Sequence, residues 1–238
     1  MELAGGEKAE IVVIPTAGTD LYIGFPDREK QLRAMFLDRG AAMVEVLHTR
    51  DPNEADNTEF AVAVMTATGV WFTGGRQWRL VDAYANTVTL EAIRSVLARG
   101  GVVGGSSAGA TIQGSYLVRG DTSGNTIMMG DHKEGFSLLT NSAIDQHLLR
   151  RNRQFDMYSV LAKHPSLLGI GLDEGTAIVV KGYQCEVVGK SYVAIYNGSL
   201  NSEKFPMLSQ NDFRPFHLLR EGDRFDLAKR TMIREETE

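Results

Sequence analysis

Ser107 stands at the centre of Gly105-Ser106-Ser107-Ala108-Gly109, with the apolar pair Val102-Val103 ahead of it and Ala110 behind. A strand running into Gly-x-Ser-x-Gly can reverse sharply into a helix and hold one hydroxyl at the apex. Glycine suits both flanks, because a side chain there would strike the neighbouring backbone in so tight a turn. A helix starting near Ala108 would also point unpaired N–H groups and its positive dipole end at the site. The chemistry that fits is nucleophilic attack by the Ser107 hydroxyl. An ordinary Gly/Ser loop is the plainer reading, and the preceding Val-Val run favours the nucleophile.

A serine hydroxyl attacks poorly near neutral pH unless a base takes its proton. Five histidines are available: His48, His132, His147, His164 and His217. His48 follows an apolar run, and His164 precedes Pro165 at an expected helix end, a usual place for a C-terminal cap. His217 lies in an apolar segment and reads as packed. His132, within Gly130-Asp131-His132-Lys133-Glu134, reads as solvated. His147 differs, because Asp145-Gln146-His147-Leu148-Leu149-Arg150-Arg151-Asn152-Arg153 gathers an acid, an amide and three arginines around it. Its competing reading is a solvated basic turn. A carboxylate should orient the imidazole. The pair Asp173-Glu174 follows the apolar run Leu168 to Leu172, and spacing leaves open which of the two would face His147.

The elements that must carry these residues alternate. Ile11 to Pro15, Met43 to Leu47, Gly69 to Thr73 and the run at Val102 read as buried strands. Between them, Asp27 to Arg39, Asn57 to Thr66, Gln77 to Tyr84 and Thr89 to Arg99 read as helices. In the first of these, Leu32, Met35, Phe36 and Leu37 are expected to face inward. Such alternation implies right-handed crossovers and a parallel sheet covered on both faces. Ligands then sit beyond the carboxyl ends of the strands, where the turns after Phe72 and Val103 fall. In the second half, Leu167 to Leu172 reads as a buried strand. Thr176 to Lys181, Gln184 to Val188 and Tyr192 to Tyr196 read as a meander. From Arg220 onward the charged tail is expected to be a solvated helix or a frayed end. A single α/β domain over residues 1–238 fits best.

Composition narrows the function classes. Hydrophobic residues make up 43% and charged residues 23% of 238, ordinary for a globular protein. A net charge of −5 argues against a general nucleic-acid binder. The one cysteine, Cys185, allows no disulfide within the chain and no zinc-binding cysteine cluster, and reads as a buried structural thiol. No apolar run approaches the ~20 residues a membrane helix needs. The first residues do not read as a secretory signal. A soluble, cytoplasmic protein is expected as given, with no membrane or nucleic-acid partner; a longer form with an upstream signal peptide would be secreted.

Four segments occur in order: Phe72-Thr73-Gly74-Gly75-Arg76-Gln77, Gly105-Ser106-Ser107-Ala108-Gly109-Ala110, Asp145-Gln146-His147, and Gly169-Ile170-Gly171-Leu172-Asp173-Glu174-Gly175-Thr176-Ala177. Together they resemble the cyanophycinase branch of the cyanophycinase/peptidase E family of serine peptidases, over about Glu2 to Tyr196. The resemblance implies a flavodoxin-like α/β sandwich related to class I glutamine amidotransferases, which use cysteine where this family uses serine. The sheet would be mixed and mostly parallel, with a C-terminal β-meander. The resemblance further implies Ser107 as nucleophile, His147 as general base and then acid, and Glu174 as the orienting carboxylate. N–H groups of Gly75 and Ala108 would hold the oxyanion, each contributing about 3–4 kcal/mol. Water would then cleave an acyl-enzyme, and neither a metal nor an organic cofactor is implied. The order Ser, His, Glu separates the chain from α/β-hydrolases, whose acid precedes the histidine.

Members of this branch release β-Asp-Arg dipeptides from a polymer with an aspartate backbone and arginine side chains. The implied substrate contacts are Gln77, Asp145, Gln146, Arg151 and Arg153, the arginines suiting carboxylates through their planar forks. A serine-type exopeptidase on Asp-containing peptides, either cyanophycin-like or other acidic and isoaspartyl ones, and a homodimer follow by the same analogy. Two positions depart from the pattern: Asp156 stands where a third arginine is expected, and Arg76 where an acidic residue is common. Met1 to Gly6 matches the family's first helix, so its first strand is expected to be absent. A non-catalytic binder of acidic or Arg-containing peptides, and an esterase, are the alternative readings.

Overall fold

Short apolar runs make the strands. The computed structural model describes residues 1–197 and 216–233, and the chain divides into two compact units, Met1–Leu139 and Thr140–Glu238. In the first unit, β1 (Glu10–Ile14), β2 (Met43–Val46), β3 (Gly69–Phe72) and β4 (Val102–Gly105) form a parallel sheet in the order β2-β1-β3-β4. The register pairs Ile11 with both Val44 and Gly69, and Phe72 with Gly105. Two 3-10 turns, Glu2–Ala4 and Gly6–Lys8, precede β1.

The crossovers are helical: α1 (Asp20–Ile23) and α2 (Arg28–Leu37) after β1, α3 (Pro52–Ala55) and α4 (Thr58–Thr66) after β2, α5 (Trp78–Tyr84) and α6 (Val88–Ala98) after β3. Four of the six, α1, α3, α4 and α6, begin at a capping side chain, those of Thr19, Asp51, Asn57 and Thr87. Asn57 Oδ1 accepts the Glu59 N–H at 2.8 Å, and Thr87 Oγ1 accepts the Leu90 N–H at 3.3 Å. Pro52 occupies the first turn of α3, where its missing N–H costs nothing. The two faces of the sheet bury alternate side chains. Val12, Ile14, Val70 and Phe72 pack with Val64, Leu90, Ile93 and Val96, while Ile11, Val13 and Val44 pack with Leu32. The inward face of α2 is narrower than expected. Leu32 and Phe36, one turn apart, meet the core, but Met35 and Leu37 fall off that stripe and are exposed.

After β4 the unit continues with α7 (Ala108–Thr111) and β5 (Gly114–Tyr116), the latter bridged to Glu134. The strand β6 (Leu139–Gln146) leads into the second unit, followed by α8 (Met157–Leu161) and β7 (Leu168–Leu172). There β6 and β7 are parallel, with Asp145 opposite Gly171 and Gln146 opposite Leu172. Glycine is required on β7 by close packing: a Cβ on Gly169 would lie 2.7 Å from Met157 Cγ, and one on Gly171 2.6 Å from Leu148 Cδ1.

The remaining strands are β8 (Thr176–Lys181), β9 (Gln184–Gly189), β10 (Val193–Tyr196), β11 (His217–Leu219), β12 (Arg224–Asp226) and β13 (Thr231–Ile233). They are antiparallel, as the sequence suggests, with one rearrangement. β8 and β9 form a hairpin, but β10 turns away to pair with β7 and β11, giving the neighbours β11-β10-β7-β6. Its four residues are all buried, which suits the middle of a sheet better than the hairpin's partly exposed edge. β9 instead takes β12 as its neighbour, in the order β13-β12-β9-β8. The expected helical or frayed tail is therefore corrected over 220–233, where β12 and β13 pair; 234–238 lie outside the described residues. Cys185 is buried on β9 opposite Phe225, and burial pushes its thiol up to about 11.

Candidate active site

Ser107 sits in the turn between β4 and α7 with φ 55° and ψ −116°, a backbone conformation that costs a side-chain-bearing residue about 1–3 kcal/mol. The flanking glycines make the turn possible. A Cβ on Gly105 would lie 2.4 Å from Gly109 O, and one on Gly109 would lie 2.2 Å from Phe72 O. The Ser106 N–H donates to Phe72 O at 3.1 Å, tying the turn to β3. α7 is one turn long, so the expected dipole contribution is slight. What it does offer is the Ala108 N–H, which opens the helix and has no acceptor within it.

A second glycine turn packs against the first. A Cβ on Gly74 would lie 3.1 Å from Ser107 Cβ and 3.6 Å from its Oγ. Gly75 has φ 146°, and a Cβ there would lie 2.0 Å from Ala17 O. The next N–H, that of Arg76, donates to Ala17 O at 2.8 Å. Gly75 and Ala108, the expected oxyanion donors, thus belong to the two turns that adjoin Ser107. Gln77 is buried and its Nε2 donates to Val118 O at 2.8 Å, while the Arg76 guanidinium donates to Asp121 O.

The second unit carries the histidine. β6 ends at Gln146, and His147 follows with φ 56°. Its Nδ1 lies 2.9 Å from Glu174 Oε1. Asp173 has a different task. Its Oδ1 accepts the N–H groups of Leu149 and Arg150, both at 3.0 Å, and its Oδ2 accepts the Ser191 hydroxyl at 2.6 Å. Partial burial pushes the Asp173 carboxyl upward, yet the hydrogen bonds from Ser191 and the backbone prevail and hold it below its ordinary 3.8. Adjacent acids therefore divide the work: Asp173 folds the turn that carries the imidazole, and Glu174 meets the ring. The parallel register of β6 and β7 brings both to one strand end. Ser191 was not legible as a participant, since nothing local to it marks a contact 18 residues away.

Asp145, Gln146 and Arg153 also come together. Arg153 Nη1 donates to Gln146 O at 3.1 Å and lies 3.8 Å from Asp145 Oδ1, and all three residues are buried. Gln146 Oε1 is buried with no hydrogen-bond partner among the described residues. Arg151 is exposed, its N–H donating to His147 O at 2.9 Å. Asp156 precedes α8, where its N–H donates to Arg153 O at 3.0 Å.

The other histidines have other partners. His48 Nδ1 lies 2.8 Å from Thr16 Oγ1, which lies 2.9 Å from Tyr84 OH. Burial and then the nearby Arg50 lower the His48 pKa, and burial raises that of Tyr84 to about 12. His217 packs against the Phe225 ring at 5.9 Å, as its apolar surroundings suggest, and the His164 N–H donates to Val160 O just past α8. His132 departs from the expected solvated side chain. Its ring is held between Asp131 and Asp82, the latter 50 residues away on α5 and so beyond any local pattern. Among the described residues, no three or more His, Cys, Asp or Glu side chains gather as a metal-binding group, and no helix is long and apolar enough to cross a membrane.

Known proteins resemble this chain. The sequence model for peptidase family S51 matches residues 1–188. The cyanophycinase of Trichormus variabilis is 34% identical over 242 aligned positions, covering 97% of this chain and 79% of that protein. The cyanophycinase of Geminocystis herdmanii is 34% identical over 235 positions, covering 94% of this chain and 84% of that protein. The crystal structure of a peptidase from an acI-B1 Actinobacterium superimposes with a TM-score of 0.70 at 26% identity, covering 94% of this chain and 88% of that one.

Proposed function

The chain belongs to peptidase family S51 and is a serine-type peptidase; from that premise we propose that it hydrolyses aspartyl peptides, including the β-Asp-Arg units of cyanophycin-like polymers, through Ser107, His147 and Glu174. The observation that carries this reading is the hydrogen bond between His147 Nδ1 and Glu174 Oε1. A carboxylate oxygen only accepts, so Nδ1 carries the proton and, in the neutral ring, Nε2 keeps the lone pair that a general base needs.

In this mechanism the Ser107 oxygen attacks the scissile carbonyl carbon while its proton passes to His147 Nε2. Glu174 steadies the imidazolium so formed. The N–H groups of Gly75 and Ala108 receive the oxyanion, and the protonated His147 gives its proton to the departing amine. Water, activated by the same Nε2, then cleaves the Ser107 ester. Catalysis requires Ser107 Oγ and His147 Nε2 to reach about 3 Å of one another. The substrate's charged groups fall to Gln77, Asp145, Gln146, Arg151 and Arg153. Residues 1–238 act as one peptidase domain in this reading, and a homodimer is its expected assembly.

Digestion of cyanophycin beside matched β-aspartyl and α-aspartyl dipeptides tests the proposal. Release of β-Asp-Arg by the wild type, and its loss in Ser107→Ala, is the expected outcome. Hydrolysis of aryl esters without preference for acidic peptides would favour an esterase instead.

A further inference from the structure

The segment 117–133 of the first unit is a folded loop closed on itself. The Leu117 N–H donates to Lys133 O at 2.8 Å, the Arg119 N–H to Met128 O at 3.0 Å and the His132 N–H to Gly120 O at 3.3 Å. Its two limbs touch closely: a Cβ on Gly120 would lie 2.3 Å from His132 O, and one on Gly130 2.4 Å from Asp121 N. Asp131 cross-links them, its Oδ2 accepting the Thr122 hydroxyl at 2.5 Å and its Oδ1 the Thr122 N–H at 3.1 Å.

One side chain joins this loop to α5. His132 Nδ1 lies 2.9 Å from Asp131 Oδ1, and Nε2 lies 2.7 Å from Asp82 Oδ1. The Trp78 ring, also on α5, lies 6.1 Å from the imidazole centroid. Carboxylate oxygens accept and do not donate, so both bonds form only when the ring carries two protons. The 118–121 limb of the loop reaches the residues that follow the glycine turn: Val118 O receives Gln77 Nε2, and Asp121 O receives the Arg76 guanidinium. Those two residues directly follow Gly74-Gly75, the turn that packs against Ser107.

We propose that His132 is a positioning residue, whose imidazolium ties the 117–133 loop to α5 and so holds Arg76 and Gln77 in the conformation that shapes the Gly74-Gly75 turn. Its consequence for catalysis rests on Ser107 being the nucleophile; the tie itself does not. The charged groups facing His132 are Asp82 from α5 and Asp131 from its own loop. Partial burial disfavours the cation, but the hydrogen bonds to Asp131 and Asp82 outweigh it, so the pKa stands above the ordinary 6.5. A raised folded pKa means that the tie is fully present below the unfolded value and is lost as pH rises through the folded one. At that point one ring nitrogen turns a lone pair toward a carboxylate.

Titration of the His132 ring by NMR, assigned with His132→Gln, reads the tie directly. A midpoint above 6.5 that falls in Asp82→Asn is the expected result; a midpoint at or below 6.5, or one indifferent to Asp82→Asn, overturns the proposal. Amide exchange in 117–133 should quicken above that midpoint in the wild type and at every pH in His132→Gln. Equal protection in both proteins would also overturn it. On a β-Asp-Arg substrate, His132→Gln should raise KM about tenfold with a smaller change in kcat, the scale of one lost charge-assisted hydrogen bond. The alkaline rise in KM should shift to lower pH in Asp82→Asn, a milder change that keeps the test open if His132→Gln folds poorly. An unchanged KM profile in folded variants contradicts the positioning role. Should no peptide be cleaved at all, the NMR and exchange results still decide the tie, so the two readings fail separately.

Discussion

Glu174 meets His147 through one hydrogen bond of 2.9 Å between Oε1 and Nδ1, while its neighbour Asp173 turns to the backbone of Leu149 and Arg150. Two adjacent acids should therefore fail in different ways. Glu174→Gln should lower kcat by about a hundredfold to ten-thousandfold with little change in Tm, because the amide no longer holds the imidazole tautomer or steadies its cation. Asp173→Asn should lower Tm first and activity only as the His147 turn loosens. Steady-state kinetics beside calorimetry separate the two, and equal Tm losses would mean the division of labour is misread.

The Asp173 carboxyl also sets a pH dependence for stability. Its folded pKa is depressed below 3.8, so its contribution is complete above that value and is lost as pH falls through the folded pKa. Urea unfolding of wild type and Asp173→Asn at several pH values should show a full stability gap near neutrality that closes on the acid side. A gap that stayed constant down to acid pH would remove the carboxylate from the explanation.

Gly75 offers a steric test. With φ 146° and a would-be Cβ 2.0 Å from Ala17 O, Gly75→Ala must move backbone rather than a flexible side chain. A loss of about 3 kcal/mol in stability, or of the turn's geometry and with it kcat, is expected. Gly182, also at positive φ but with open space around its would-be Cβ, is the control: Gly182→Ala should cost only about 1 kcal/mol. Equal Tm shifts for the two would contradict the packing of the Gly74-Gly75 turn on residue 17.

Arg151 and Arg153 differ in burial, and their variants should differ accordingly. Arg153 is buried against Asp145 and Gln146 O, so Arg153→Ala should lower stability by about 2 kcal/mol as well as raise KM. Arg151 is exposed, and Arg151→Ala should raise KM with Tm unchanged. The same stability cost at both positions would count against the buried cluster.

Much of this was readable from the chain because it is locally encoded. The strands of the first unit are short apolar runs, and the turns at Gly74-Gly75 and Gly105 to Gly109 are spelled by glycines that the packing then requires. Cys185 is buried, as a thiol within an alternating strand should be. What escaped depends on distant pairing. Spacing left open which of Asp173 and Glu174 would face His147 and only the family resemblance pointed to Glu174, because the choice follows from the β6–β7 register and from the Asp173–Ser191 contact. His132 looked solvated because its second partner, Asp82, comes from α5. The three-residue strands β11, β12 and β13 carry too little periodicity to announce themselves, and pair on the edges that β10, β9 and β12 in turn offer.

Fluorophosphonate labelling of the folded protein, read by intact mass and peptide mapping, tests the nucleophile most directly. A single adduct on Ser107, absent from Ser107→Ala and much slower to form in His147→Gln, is the expected result. An unlabelled wild type, or an adduct on a different serine, would contradict it.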